Sequence, residues 1–277
     1  MKQSTFFYLL RRGVIGGGGG AAFDSDYQAI LNKGTAEGYT LPSASQQALQ
    51  NTLVTSLKAD SNVWDKLDML FVFANDGSEE YSLIDWKNPT GTLATAYSDI
   101  AWASNTGFTG DGVADYIDTG HLAGTTGSNF TTISASMGVY STTEYSTSSA
   151  NDYPISSDIG TQRIRFFESG SGGNRFLTTA NYAGALLTGA SQRGMMGVQK
   201  NASGSIQALR GDKDVVDIQT GLTDAAPTTV AANTVKIFRY SASYGEGNIK
   251  LAWVGSKFSS DEWSDYVTAV DTYIAAL

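Results

Sequence analysis

The sequence predicts a mainly β protein, an antiparallel sandwich with short helical segments at both ends. Many short segments place an apolar residue at every second position, and no helical period separates them. Helix signals occur only in about the first 75 residues and in the last 20. The chain has 277 residues with 31 glycines, 4 prolines and 16% charged residues, which is typical of an all-β surface protein.

Composition excludes several kinds of site. The chain has no cysteine and a single histidine, so it offers neither a thiolate zinc site nor a multi-histidine metal site. Its 27 acidic and 18 basic residues give a net charge of −9, which repels phosphate backbones. We therefore expect no nucleic-acid partner.

The first 22 residues are predicted to be a flexible arm that attaches the chain to a partner. Five consecutive glycines at positions 16–20 form a flexible linker after an aromatic and basic segment. The apolar run is too short for a signal peptide or a membrane span, so no membrane contact is expected. The alternative is a disordered leader. The predicted attachment residues are Phe6, Phe7, Tyr8, Leu9, Leu10, Arg11 and Arg12.

Residues 23–75 are predicted to form a small helical subdomain. Ser43 with Gln46 is a capping-box pattern, and the leucines at 49, 53 and 57 then follow a helical period. A second apolar period from Trp64 to Leu70 or Phe71 predicts another short helix.

Residues 76–277 are predicted to form the sandwich and a final helix. Ile133, Ala135, Met137 and Val139 alternate with small polar residues, which predicts a strand with one apolar face and one small polar face. Similar segments occur at 164–167, 195–198, 215–218, 235–238 and 249–253. Ser259 with Glu262 repeats the capping-box pattern before the last apolar period.

Residues 39–121 resemble a known family. The matching segments are 39–43, 53–54, 57–58, 64–68, 73–77, 85–89, 107–112 and 116–120. They are similar to a block in structural proteins of bacteriophages that infect Bacteroidetes, where it precedes a concanavalin A-like, laminin G-like jelly roll. The resemblance implies a virion fibre, appendage or capsid or tail decoration, assembled in the bacterial cytoplasm and commonly a homotrimer.

Catalytic residues are not evident in the sequence. A concanavalin-like glycosidase is expected to carry a Glu-x-Asp-x-x-Glu motif with paired carboxylates, and this motif is absent. Glu79 and Glu80 lie in a turn signal, while Glu262 and Asp265 fall in the first turn of a predicted helix. His121 follows a turn without a nucleophile elbow and is interpreted as a polar loop residue. The sequence therefore predicts a protein that is not an enzyme.

Calcium is the one cofactor with candidate ligands. Asp111, Asp115 and Asp118 form a weak candidate group, since laminin G-like domains can bind that ion at a rim. The alternative is that they form turns. Asp212, Asp214 and Asp217 form a second such group.

Tyrosines among Ser, Thr and Asn offer a candidate recognition surface. Tyr140, Tyr145 and Tyr153 lie in or beside residues 141–158, whose composition fits either an adaptable binding loop or an ordinary solvated loop. The sequence leads to a non-enzymatic virion structural protein attached through its arm. The alternative is a carbohydrate-binding module that recognises host surface glycans.

Overall fold

The computed structural model describes residues 22–59, 61–143, 150–159, 162–169, 174–178, 185–187, 193–202, 205–211, 216–223 and 233–277. In these residues the fold is mainly β, with antiparallel sheets and some helices, which confirms the predicted class in its broad form. The predicted attachment residues, Phe6, Phe7, Tyr8, Leu9, Leu10, Arg11 and Arg12, lie outside the described residues.

The helices and strands have the following bounds. The helices are α1 Ser25–Glu37, α2 Ala44–Lys58, α3 Val63–Lys66, α4 Glu79–Ser82 and α5 Ser260–Ala275. The strands are β1 Leu67–Val72, β2 Thr95–Tyr97, β3 Ala101–Ala103, β4 Gly107–Asp111, β5 Tyr116–Leu122, β6 Ala135–Ser141, β7 Ala150–Ile159, β8 Gln162–Ser169, β9 Asn174–Thr178, β10 Ala185–Leu187, β11 Gly194–Ala202, β12 Ser205–Gly211, β13 Val216–Thr223, β14 Thr234–Ile237, β15 Arg239–Tyr240, β16 Ser243–Tyr244 and β17 Glu246–Gly255.

The strands form two large antiparallel sheets and one small hairpin. The first sheet has the order β13-β12-β11-β6-β17-β4-β3, and β1 pairs with β17. Within β17 the first half pairs with β4 and the second half with β1, so one long strand holds two short ones. The second sheet has the order β10-β9-β8-β7-β14-β5-β2, and β15 pairs with β16.

Strand β1 corrects one helix prediction. The apolar period after Trp64 predicts a helix through Phe71, but the helix ends at Lys66 and residues 67–72 are a strand. All six residues of β1 are buried, and the last four, residues 69–72, form an apolar run that periodicity alone does not distinguish from a buried helix. Part of the range predicted as the helical subdomain therefore lies in the first sheet.

The core between the two sheets is built from alternate residues of the strands. Ile117 and Ile237 of the second sheet pack with Phe108, Met137 and Val139 of the first. The alternation predicted for β6 is thus confirmed for Met137 and Val139. Ile133 precedes the strand and is 59% exposed.

A second apolar cluster joins the helices to the outer face of the first sheet. Trp253 of β17 contacts Trp263 and Tyr266 of α5, with ring centroids 5.7 and 5.4 Å apart. The ring of Trp253 lies so close to β6 that a Cβ on Gly138 would come within 2.2 Å of it. None of the hydrophobic residues of this cluster comes from the second sheet. We call α1, α2 and α5 the helical layer.

Buried polar groups connect the helical layer to the chain that follows β1. The hydroxyl of Tyr273 in α5 accepts a hydrogen bond from Gln46 Nε2 at 2.8 Å and donates to the carbonyl of Ala74 at 2.7 Å. Gln50 Oε1 accepts from the hydroxyl of Tyr27 at 2.8 Å. The bonds tie α1, α2 and α5 to one point beside the first sheet.

The predicted helix starts are confirmed. The side chain of Ser43 accepts from the backbone N–H of Gln46, and Ser259 with Glu262 forms a complete capping box. No helix in the described part of the chain is long and apolar enough to cross a membrane.

Asp68 organises the loop between β5 and β6. Its buried carboxylate accepts backbone N–H groups from Ser128, Asn129 and Phe130 at 2.8–3.2 Å. Gly127 adopts a φ of +86°, and a Cβ there would lie 2.3 Å from the Asp68 carboxyl carbon. The loop therefore wraps directly around this carboxylate.

Candidate functional site

Four side chains form a stack on the second sheet, on the side away from the core. We call Tyr97, Tyr116, Arg239 and Tyr244 the aromatic stack. Tyr97 belongs to β2, Tyr116 to β5, and the other two to the β15–β16 hairpin. Among the described residues, the hydrophobic side chains that pack with the helical layer include none from the second sheet.

Strand register places the two tyrosines on this face. Tyr97 lies directly opposite Tyr116 in the β2–β5 ladder, and Ala96 lies opposite Ile117. Ile117 and Ala96 pack in the core between the sheets. Because successive side chains point to opposite faces of a strand, Tyr97 and Tyr116 lie on the outer face.

The planar groups of the stack are close together. The rings of Tyr97 and Tyr116 are 4.4 Å apart between centroids and 3° from parallel. The guanidinium carbon of Arg239 lies 4.3 Å from the Tyr116 centroid and 5.6 Å from that of Tyr244. Tyr97 is 42% exposed. Since Tyr116 covers one ring face of Tyr97, that exposure falls on the other face and the rim.

Hydrogen-bonding groups lie beside the aromatic stack on the same face. Thr95 and Lys236 both lie opposite Asp118, on the strands either side of β5. Lys236 Nζ is 3.4 Å from the Asp118 carboxylate and donates to the hydroxyl of Thr234 at 3.0 Å. The face therefore offers an apolar ring surface next to donors and acceptors, an arrangement that suits a ligand with a flat apolar face and a polar rim.

The tyrosines predicted from the sequence are not brought together. Tyr140 lies on β6 and packs against the helical side of the first sheet. Tyr153 lies on β7, is 5% exposed, and has its ring 4.8 Å from that of Tyr240. Tyr145 lies outside the described residues. None of these three tyrosines belongs to the aromatic stack.

The candidate calcium ligands are occupied by contacts within the protein. One carboxylate oxygen of Asp111 accepts the backbone N–H groups of Val113, Ala114 and Asp115, and these bonds, that from Ala114 first, lower its pKa. Asp115 is buried, which raises its pKa, and Asp118 pairs with Lys236. Among the described residues no group of three or more His, Cys, Asp or Glu side chains could hold a metal ion. Asp212 and Asp214 lie outside them, and Asp217 lies in β13.

His121 is not the polar loop residue that the sequence predicts. It lies in β5, is 3% exposed, and neither ring nitrogen has a hydrogen-bond partner among the described residues. Burial lowers its pKa to about 4, although the nearby charge of Asp68 acts in the opposite direction. The alternation along β5 turns this side chain inward with Ile117 and Thr119.

The fold resembles part of known sialidases. A mutant of the Trypanosoma rangeli sialidase with trans-sialidase activity matches with a TM-score of 0.54 and 10% identity, over 83% of this chain and 40% of that one. The Trypanosoma rangeli sialidase in complex with 2,3-difluorosialic acid matches with a TM-score of 0.50 and 11% identity, over 82% and 39%. The chain therefore spans about 40% of the length of these sialidases.

A smaller protein matches over nearly its whole length. Domain 4 of AbnA, an extracellular arabinanase of family GH43 from Geobacillus stearothermophilus, in complex with arabinotriose, has a TM-score of 0.49 and 13% identity, over 73% of this chain and 98% of that one. No family model matches the sequence, and no curated protein matches it significantly.

These matches correct two predictions from the sequence. The sequence predicts a non-enzymatic structural protein of a phage particle, but solved chains that share this fold are sialidases, which are enzymes. The structural role and the exclusion of enzymes are therefore wrong. The carbohydrate-binding alternative agrees in part with the matches. Phage origin, virion location, the homotrimer and calcium stay predictions, because no match bears on them.

Proposed function

We propose that this chain is a carbohydrate-binding domain and that the aromatic stack is its glycan-binding surface. The observation that carries the proposal is the parallel pair of Tyr97 and Tyr116 on the outer face of the second sheet, with Tyr97 exposed. A cluster of aromatic side chains at the surface, with one ring exposed, is a candidate interaction site.

The chemistry of sugars suits this surface. A pyranose ring has an apolar face of C–H groups and a rim of hydroxyls, so it stacks on a phenol ring and hydrogen-bonds to groups beside it. Tyr97 supplies the free ring face, while Thr95 and the Asp118–Lys236 pair supply acceptors and donors on the same face. Both kinds of contact are needed, because ring contacts alone do not orient a ligand.

The sialidase matches support the proposal in a limited way. They involve about 40% of each sialidase chain, so the likeness is to one part of a protein that acts on sugars. At 10–11% identity these matches show a shared fold and assign no role to any residue of this chain. The glycan assignment therefore depends on the residues of this chain.

We also propose that the two sheets form a jelly roll of the concanavalin A-like type. The support is the interleaved strand order, in which β6 lies between β11 and β17 and β5 lies between β14 and β2. A crystal structure that traces the connections between the sheets tests this assignment, and a different order of connections would refute it.

Glycan-array binding by the full chain tests the function, followed by titration calorimetry on the strongest hit. We expect Tyr97→Ala to weaken binding about 10-fold, which equals about 1.4 kcal/mol. Tyr97→Phe keeps the ring and should retain most of the affinity. Ile133→Ala is the matched control, because Ile133 is exposed and lies outside the aromatic stack.

The same samples distinguish binding from cleavage. Reducing ends released from the bound glycan are measured in parallel with binding. An array without hits, or hits whose affinity is equal in wild type and Tyr97→Ala, would remove the aromatic stack as a glycan site.

A further inference from the structure

We infer that the aromatic stack selects a glycan that carries a carboxylate, and that Arg239 is the residue that binds this carboxylate. The inference rests on the proposed function and adds the class of sugar. Its basis is a cation on the binding face whose charge is not matched by an acid in the described part of the chain.

Arg239 differs from the neighbouring cation on this face. Lys236 has Asp118 as its partner at 3.4 Å. Arg239 donates from Nε to the carbonyl of Ser241 at 3.0 Å, and its other contacts are with the tyrosines of the stack. No carboxylate lies within ion-pair distance of it among the described residues, although acids outnumber bases 27 to 18 in the chain.

Stacking fixes the guanidinium without using its capacity to bind an anion. Arg239 lies over the Tyr116 ring at 4.3 Å and near the Tyr244 ring at 5.6 Å, so both rings attract the positive charge. A carboxylate binds a guanidinium in its plane, through two parallel N–H donors, whereas a ring contacts its face. The N–H groups of Arg239 that do not bond to Ser241 or Tyr116 are the donors that an anion would use.

The position of Arg239 allows one ligand to reach both kinds of contact. The Tyr116 centroid lies 4.4 Å from that of Tyr97 and 4.3 Å from the guanidinium carbon of Arg239, so an oligosaccharide that contacts Tyr97 and extends along the Tyr116 ring reaches the guanidinium. The acid of this face that lies opposite Lys236, Asp118, is paired with it at 3.4 Å, so its charge is offset locally.

Matched acidic and neutral glycans test the inference. The probes are trigalacturonic acid with its methyl ester, and 3′-sialyllactose with lactose, titrated into the full chain by calorimetry. We expect at least one acidic probe to bind about 10-fold more tightly than its neutral partner, and this advantage should shrink in 0.5 M NaCl. Arg239→Gln should abolish the advantage, and Arg239→Lys should keep part of it, because lysine retains the charge without the planar fork.

The outcomes separate this inference from the proposed function. Equal binding of both members of each pair, lost in Tyr97→Ala, would overturn the acidic preference and leave the glycan site intact. An acidic preference unchanged in Arg239→Gln would overturn the role of Arg239. Failure of wild type to bind these probes or any glycan on the array would overturn both proposals. Melting curves of each variant confirm that it is folded.

Discussion

Tyr97 and Tyr116 lie face to face across β2 and β5, with ring centroids 4.4 Å apart and planes 3° from parallel. A cross-strand aromatic pair of this kind contributes about 1 kcal/mol beyond the area it buries. We therefore expect a double-mutant cycle of Tyr97→Ala and Tyr116→Ala to give a coupling energy of about 1 kcal/mol in urea unfolding. Tyr97→Ala with Ile133→Ala is the control, and their effects should add. A coupling near zero in the tyrosine pair would show that the rings do not stack in solution.

Asp68 should control the loop between β5 and β6. Asparagine has one carbonyl oxygen where the carboxylate has two, so Asp68→Asn leaves backbone N–H groups of Ser128, Asn129 or Phe130 without an acceptor. We expect a loss of about 2 kcal/mol in the free energy of unfolding, together with faster amide exchange at Asn129 and Phe130. Asp65→Asn is the control, because Asp65 is exposed. Unchanged exchange rates would contradict the anchoring role.

His121 should make the protein less stable in acid. Its pKa is about 4 in the folded chain and about 6.5 when exposed, so the unfolded chain binds more protons between these values. Stability from this group is therefore complete above pH 6.5 and falls as the pH drops toward 4. Relative to wild type, His121→Phe should gain up to about 3 kcal/mol across this interval. A stability difference that is constant with pH would refute the assignment.

Asp85 should make the folded protein less stable as the pH rises, which is opposite to the effect of His121. Burial raises its pKa to about 6, although backbone N–H groups of Leu70 and Lys87 donate to it. The folded chain then binds more protons than the unfolded chain between pH 3.8 and 6, so this contribution to stability falls as the pH rises. Asp85→Asn should become more stable relative to wild type as the pH rises through this range. Urea unfolding at half-unit pH steps measures both variants, and an opposite sign for Asp85→Asn would contradict the prediction.

The hydroxyl of Tyr273 should stabilise the fold through its two buried hydrogen bonds. Tyr273→Phe leaves the Ala74 carbonyl and the Gln46 amide without their buried partner. We expect a loss of about 2 kcal/mol in the free energy of unfolding. Gln46→Leu combined with Tyr273→Phe removes one of the orphaned groups and should recover part of that loss. Equal stability of wild type and Tyr273→Phe would show that water replaces the hydroxyl.

The sequence correctly predicts those structural features that depend on residues close together in the chain. The caps at Ser43 and Ser259 are correct because each depends on a residue three positions later. The alternation in β6 is correct for the same local reason. Strand β1 is assigned wrongly because a run buried on both faces has no period of two, and only its pairing with β17 makes it a strand.

The aromatic stack could not be predicted from the sequence. Tyr97 meets Tyr116 through the register of two short strands, and Arg239 reaches Tyr116 from a distant hairpin. No local pattern indicates which strands pair, so the sequence favours the tyrosines of a Ser- and Thr-rich segment instead. The burial of His121 could not be predicted for a similar reason. Which side chains of β5 face the core becomes clear only once Ile117 is known to lie there.

The helical layer gives the molecule two chemically different sides. Phe23 and Leu277 both pack into the apolar cluster of that layer, while the aromatic stack lies on the far sheet. A linker joined at residue 277 therefore leaves from the side opposite the stack. On a sensor chip or a bead, such a tether would point the tyrosines toward the solution, so weak glycan binding could be measured on densely immobilised protein without blocking the site.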